Sequence, residues 1–170
     1  MAAGNTFSQI ASTTLGSAAA SVTFSSIAGT YTDLVLVISA RGTTVATSTS
    51  VYFTTNITGT NYSSTWLVGT GAGATSGRYS SLSQGYLGYI SAASNASDSR
   101  GTVIANFMNY SNTTTNKTVL SRGNVAEAET DAYVSLIRGT SALSTITVGE
   151  GGGNNFVAGS TFNLYGITAA

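Results

Sequence analysis

Apolar and hydroxyl-bearing residues alternate along most of this chain with the period of a β-strand. In Ser21-Val22-Thr23-Phe24-Ser25 every second side chain is apolar. That spacing turns one set of side chains to a core and the other to solvent. Ile27 closes the run, and Ala28-Gly29-Thr30 turns the chain. In residues 34–38, Leu34, Leu36 and Ile38 share one face while Val35 and Val37 take the other. A strand apolar on both faces is expected at a central or covered position in its sheet, and Arg41-Gly42 ends it. Further strands are predicted at about residues 51–57, 64–68, 85–91, 102–110, 118–123, 132–138, 144–148 and 161–167, all rich in Val, Ile, Thr, Tyr and Phe. An early strand near residues 7–11 brings the total to roughly ten, a count typical of sandwiches and jelly rolls. No window sustains a helical stripe. The best helical candidate, residues 125–130, is too short to stand alone in water.

The expected architecture is therefore all-β: an antiparallel β-sandwich, jelly-roll-like, over residues 20–170. Residues 1–19, richer in Ala, Ser and Thr, form either a short N-terminal arm that orders against a neighbour or an edge strand. The gaps between strands are glycine- and hydroxyl-rich. Gly149-Glu150-Gly151-Gly152-Gly153 has the glycine content of a phosphate loop, but no Lys-Ser/Thr follows and its flanks are strand-like. A plain hairpin loop is the expected reading. No long-period repeat indicates a solenoid.

Composition changes the picture in one respect, which is charge. Only 7% of the 170 residues are charged, six basic against six acidic, where about 25% is ordinary. Ser and Thr supply roughly a third of the chain. Solubility then rests on hydroxyls and backbone, and little repulsion keeps copies apart. Association with copies of itself or with a host lattice is expected. Balanced charge gives no electrostatic footprint for nucleic acid. The longest apolar run, residues 34–38, falls far short of the ~20 residues a membrane-spanning helix needs, so no membrane partner is expected. The segment MAAGNTFSQI lacks a basic n-region and an apolar h-region, and no secretory signal is expected.

The chain has no Cys and no His. Disulfides, thiolate metal sites and the commonest general base are thereby excluded. Lys117, the only lysine, sits in a polar stretch at residues 112–118. It reads as a solvated loop residue, with a Ser–Lys pair as the alternative. Glu127, Glu129 and Asp131 alternate and on a strand would share one face. They can seat a calcium ion or imitate a glycosidase pair. A solvated edge whose charges deter edge-to-edge pairing is the expected reading. Tyr62, Trp66, Tyr79, Tyr86, Tyr89 and Tyr110 lie in or beside polar segments. Core or rim packing is expected for each, and Trp66 reads as a core residue. Stacking on sugars or anchoring a protein interface is the alternative. No catalytic, cofactor-binding or metal-binding residue is assigned, and no enzyme activity is expected.

Residues 21–34, SVTFSSIAGTYTDL, resemble the opening of a family of small virion proteins in tailed phages, in which a Pro often stands at the position of Ala28. The resemblance resumes at residues 59–63 and at 110–112 and 116–118, and is clearest at residues 155–167, NFVAGSTFNLYGI. The shared motifs are turn glycines, strand aromatics and a closing strand. The missing Pro and the low charge depart from the pattern. The resemblance implies a jelly-roll-like sandwich present in many copies per particle. A capsid decoration, or cement, protein on the outer surface of the phage head is the leading expectation. Its partners would be the major capsid protein and copies of itself, as a homotrimer. The alternative is a tail or fibre-head receptor-binding module recognising host surface glycan.

Overall fold

A computed structural model describes residues 6–168. Its twelve strands are β1 (Phe7–Thr14), β2 (Ser21–Phe24), β3 (Asp33–Ala40), β4 (Ser48–Thr55), β5 (Tyr62–Gly69), β6 (Ala74–Leu82), β7 (Gly85–Ser91), β8 (Gly101–Met108), β9 (Lys117–Val125), β10 (Glu129–Ile137), β11 (Ile146–Glu150) and β12 (Thr161–Ile167). They form two antiparallel sheets packed as a sandwich. The larger has eight strands in the order β1-β12-β3-β8-β9-β10-β5-β6, and the smaller has four, β2-β11-β4-β7. This is the all-β sandwich expected from the alternation. The predicted segments at 85–91 and 161–167 coincide with β7 and β12. Residues 125–130, the helical candidate, are instead the end of β9, a tight turn at residues 126–128 and the start of β10, with Ala128 N–H donating to Val125 C=O at 2.8 Å.

β1 is an edge strand, antiparallel to β12 with a bulge between Gln9 and Ala11. Of the expected N-terminal arm, residues 1–5 lie outside the described residues. The two ends of the described chain meet at this edge, where Thr168 N–H donates to Thr6 C=O at 3.1 Å.

The core fills the space between the sheets. Leu34, Leu36 and Ile38 of β3 are fully buried there, as are Val103, Ala105 and Phe107 of β8. They meet Val51 and Phe53 of β4, Leu87 and Ile90 of β7, and Ile146 and Val148 of β11. Phe53 stands edge-on to both Tyr62 and Phe107, with centroids 5.7 and 5.3 Å apart, a favoured aromatic geometry. The sheets come closest at β7, which lies over β8, β9 and β10. Glycines permit this: a Cβ on Gly101 would stand 2.5 Å from the Ile90 Cα.

Candidate binding surfaces

The eight-stranded sheet is larger than the sheet that covers it, and this creates two surfaces. The first is its outer face, which carries no second layer among the described residues. Register places one row across it as Tyr165, Val35, Asn106, Leu120, Val134 and Thr65. The adjacent row runs Asn163, Val37, Ile104, Arg122, Ala132 and Leu67. Five of the seven large hydrophobic side chains left exposed lie on this face: Phe7, Leu67, Met108, Leu120 and Val134. Leu67 at 53% and Val134 at 48% exposure are far from core values. Arg122 is the charge in the middle of the face and has no side-chain partner among the described residues. Shallow hollows flank it, one lined by Ile104, Asn106 and Leu120.

The outer face of the small sheet is different. Ser21, Thr23, Thr147, Thr54 and Ser50 point outward there, and the Thr23 and Thr147 hydroxyls bond at 2.9 Å. Hydroxyls, with the Tyr52 ring lying over Gly149, cover one side of the sandwich and aliphatic groups gather on the other.

The second surface is a ledge. β5 and β6 extend past β7, the edge of the small sheet, so their inward-facing side chains are only partly covered. Trp66 lies across Gly77, its cross-strand neighbour on β6, where a Cβ would meet the indole at 2.5 Å. Tyr79 follows at 6.2 Å from Trp66, and Tyr86 of β7 at 5.6 Å from Tyr79. Tyr86 is held firmly: its N–H donates to Ser64 Oγ at 3.1 Å, its C=O accepts from Ser135 Oγ at 2.8 Å, and Gln84 donates to its hydroxyl at 3.2 Å. Farther along, Tyr89 of β7 and Tyr133 of β10 pair with centroids 6.4 Å apart. Trp66, expected in the core, therefore belongs to this half-buried ledge and is absent from the central cluster. Glycine at position 77 and the short cover offered by a four-stranded partner sheet are the reasons. Tyr62 and Tyr110, by contrast, are fully buried.

The carboxylate trio does not act as a set. Glu127 lies exposed in the β9–β10 turn, Glu129 is half-buried, and Asp131 is buried beneath β7. Asp131 Oδ2 accepts the Tyr89 N–H at 3.0 Å. Its head sits against Gly88 and Gly123, where added Cβ atoms would meet Oδ1 at 2.4 and 2.7 Å. Burial pushes its pKa up to about 6; the Tyr89 amide opposes this and Glu129 adds to it. Burial likewise raises the Tyr89 and Tyr133 phenols. No group of three or more metal-ligating side chains occurs among the described residues.

Two further expectations are corrected. Lys117 is not a solvated loop residue: it opens β9 with only 1% exposure, and its Nζ donates to the carbonyls of Thr115 at 2.7 Å and Thr140 at 3.2 Å. Desolvation lowers its pKa. The glycine-rich segment around Glu150 is not a hairpin loop: Gly149 and Glu150 end β11 in the small sheet, the chain crosses from there to β12 in the large one, and Glu150 itself is buried and heavily bonded. Oε1 accepts the hydroxyls of Thr44 and, at 2.5 Å, Thr49; Oε2 accepts the N–H groups of Gly152 at 2.9 Å and Asn154 at 3.0 Å. Lys117 Nζ bonds backbone carbonyls and no side-chain hydroxyl among the described residues.

No protein-family model matches the chain. No curated protein sequence matches it either. Among solved structures it is similar to galectin LEC-6 of Caenorhabditis elegans, at 9% identity and TM-score 0.38, covering 93% of this chain and 96% of that one. It is also similar to a legume lectin-like domain from Entamoeba histolytica, at 9% identity and TM-score 0.27, covering 97% of this chain and 86% of that one.

Proposed function

We propose that this chain is a structural protein of a tailed-phage virion, a decoration protein that docks on the outside of the head and bridges capsid subunits. The observation that carries the docking is the uncovered outer face of the eight-stranded sheet. Eight strands ~4.8 Å apart and about eight residues long span roughly 1,000 Å², against ~800 Å² per partner in a standard interface. Leu120 and Val134 face each other across β9 and β10 at its centre, with Arg122 beside them. Depletion of charge around a few aliphatic residues and one Arg is how the middle of a protein interface is composed. The sequence resemblance to small virion proteins supplies the identity of the partner, and the low charge suits a chain held in many copies, as a homotrimer. The hydroxyl-lined side would then face solvent.

Copy number and position in purified particles test this. Hundreds of copies on the shell, and heads that break at lower temperature when the protein is removed, are the expected result. A few copies at the tail would favour the alternative of a tail or fibre-head module. Leu120→Asp should fold and yet fail to decorate heads in an add-back assay; full decoration by that variant would show that another surface docks.

A further inference from the structure

We propose that the ledge beyond β7 is a binding site for a neutral glycan, with Trp66, Tyr79 and Tyr86 as its stacking platform. The site does not depend on the docking reading, because the ledge and the docking face lie on opposite sides of the same sheet.

Three observations meet here. The first is the run of rings: Trp66, Tyr79 and Tyr86 follow one another at 6.2 and 5.6 Å, and Tyr79 is 43% exposed at its centre. Aromatic faces are electron-rich, and the C–H bonds on one face of a pyranose present the matching positive surface. The second is rigidity. The Tyr86 backbone is fixed from both sides by Ser64 and Ser135, whose hydroxyls also bond each other at 2.7 Å. A platform set in place before binding loses less freedom when ligand arrives. The third is polarity. Six buried side-chain polar atoms lack a partner among the described residues. One of them, Trp66 Nε1, belongs to the platform itself, and Glu129 Oε1 and Asp131 Oδ1 lie farther along the same face of β10. Native proteins leave few such groups unpaired, and an indole N–H left without an acceptor next to the exposed Tyr79 ring suits a hydroxyl-bearing ligand.

Charge narrows the class. The inward-facing positions of β5, β6 and β10, and all of β7, contain no Lys or Arg, whereas Glu129 and Asp131 are on that side. An anionic polysaccharide would find no cation on that side of the sheet, Arg78 being on the opposite face of β6. A neutral oligosaccharide fits.

Trp66 is the only tryptophan, so intrinsic fluorescence reads the ledge directly. The intact protein would be titrated with maltohexaose, cellohexaose and N-acetylchitotetraose to about 10 mM, a range that captures the weak affinities of shallow sites, with dextran sulfate as the anionic control. Calorimetry on the same probes covers a binding event that leaves the indole unperturbed. A saturable response to at least one neutral probe is expected. Tyr79→Ala should weaken it roughly three- to tenfold, Tyr79→Phe should retain it, and Leu120→Lys on the opposite face should leave it unchanged. No binding of any neutral probe by either method overturns the proposal. So does binding of dextran sulfate alone, or an affinity unchanged in Tyr79→Ala.

Discussion

Two buried carboxylates show how differently one fold can treat the same chemical group. Glu150 accepts from two hydroxyls and two amides, so protein donors take the place of water around both carboxyl oxygens. Glu150→Ala leaves those donors unpaired and frees the turn at residues 151–154 from Thr44 and Thr49. A loss of about 2–4 kcal/mol in urea unfolding is expected, with Glu150→Gln intermediate because an amide offers only one accepting atom. Asp131 is held by the Tyr89 amide with a weaker contribution from the Gly123 backbone, and burial dominates. Its folded pKa of about 6 lies above the ordinary 3.8. Between those values the native state holds a proton that the unfolded chain has lost, so stability rises as pH falls through 6 and is reduced above it. From about pH 7.5 to 4.5 the Asp131 contribution amounts to about 2 kcal/mol. Asp131→Asn should flatten that portion of the pH profile, measured by urea unfolding at each pH; an unchanged slope would show that Asp131 titrates normally. Neither environment was legible in the sequence. Glu150 stands among four glycines that read as a flexible loop, and its partners Thr44 and Thr49 lie about a hundred positions away. Lys117 was misread for the same reason, since one of its two carbonyl partners, Thr140, comes from a different connection.

At the scale of elements, alternation carried most of the fold. β3 and β12 declare themselves because one face of each is entirely apolar and that face is the core. β6 was missed. Its sequence, ATSGRYSSL, has almost no apolar period, because it is an edge strand whose side chains meet solvent on nearly every position. It is a strand by virtue of pairing with β5, not by its own pattern. The close approach of β7 to β8 and β9 was also invisible, because it depends on what glycines leave out. Gly101→Ala would press a Cβ against backbone atoms of Ile90 and Ser91, and of Asn124, at 2.5 to 2.7 Å. Backbone cannot yield as a side chain does, and a loss of about 3 kcal/mol or a failure to fold is expected. Gly16→Ala, with nothing within 4 Å of the new carbon, is the matched control and should change stability by no more than about 0.5 kcal/mol. Thermal unfolding of the pair measures how much of the sandwich's stability depends on that contact.

For the whole molecule, the deciding property is the difference between its two outer faces. A net charge of zero and 7% charged residues were evident from composition, and they implied association without saying where. The structure supplies the place: aliphatic side chains gather on the outside of the large sheet, and hydroxyls on the outside of the small one. Exposed apolar area of this kind drives association by removal from water, at roughly 25 cal/mol per Å², and almost no charge opposes it. The free protein should therefore self-associate as its concentration rises, and added salt should do little to prevent this, since screening acts on charges that are scarcely present. Leu120→Lys with Val134→Lys places two cations at opposed positions on neighbouring strands, where they repel one another and any second copy. Both side chains are about half exposed, so the core is untouched and the unfolding midpoint should fall only slightly. Sedimentation velocity across a concentration series should show association in the wild type and a monomer in the double variant. If the variant associates as the wild type does, the contact between copies runs through another surface, and the large sheet's outer face is not what brings this chain to its neighbours.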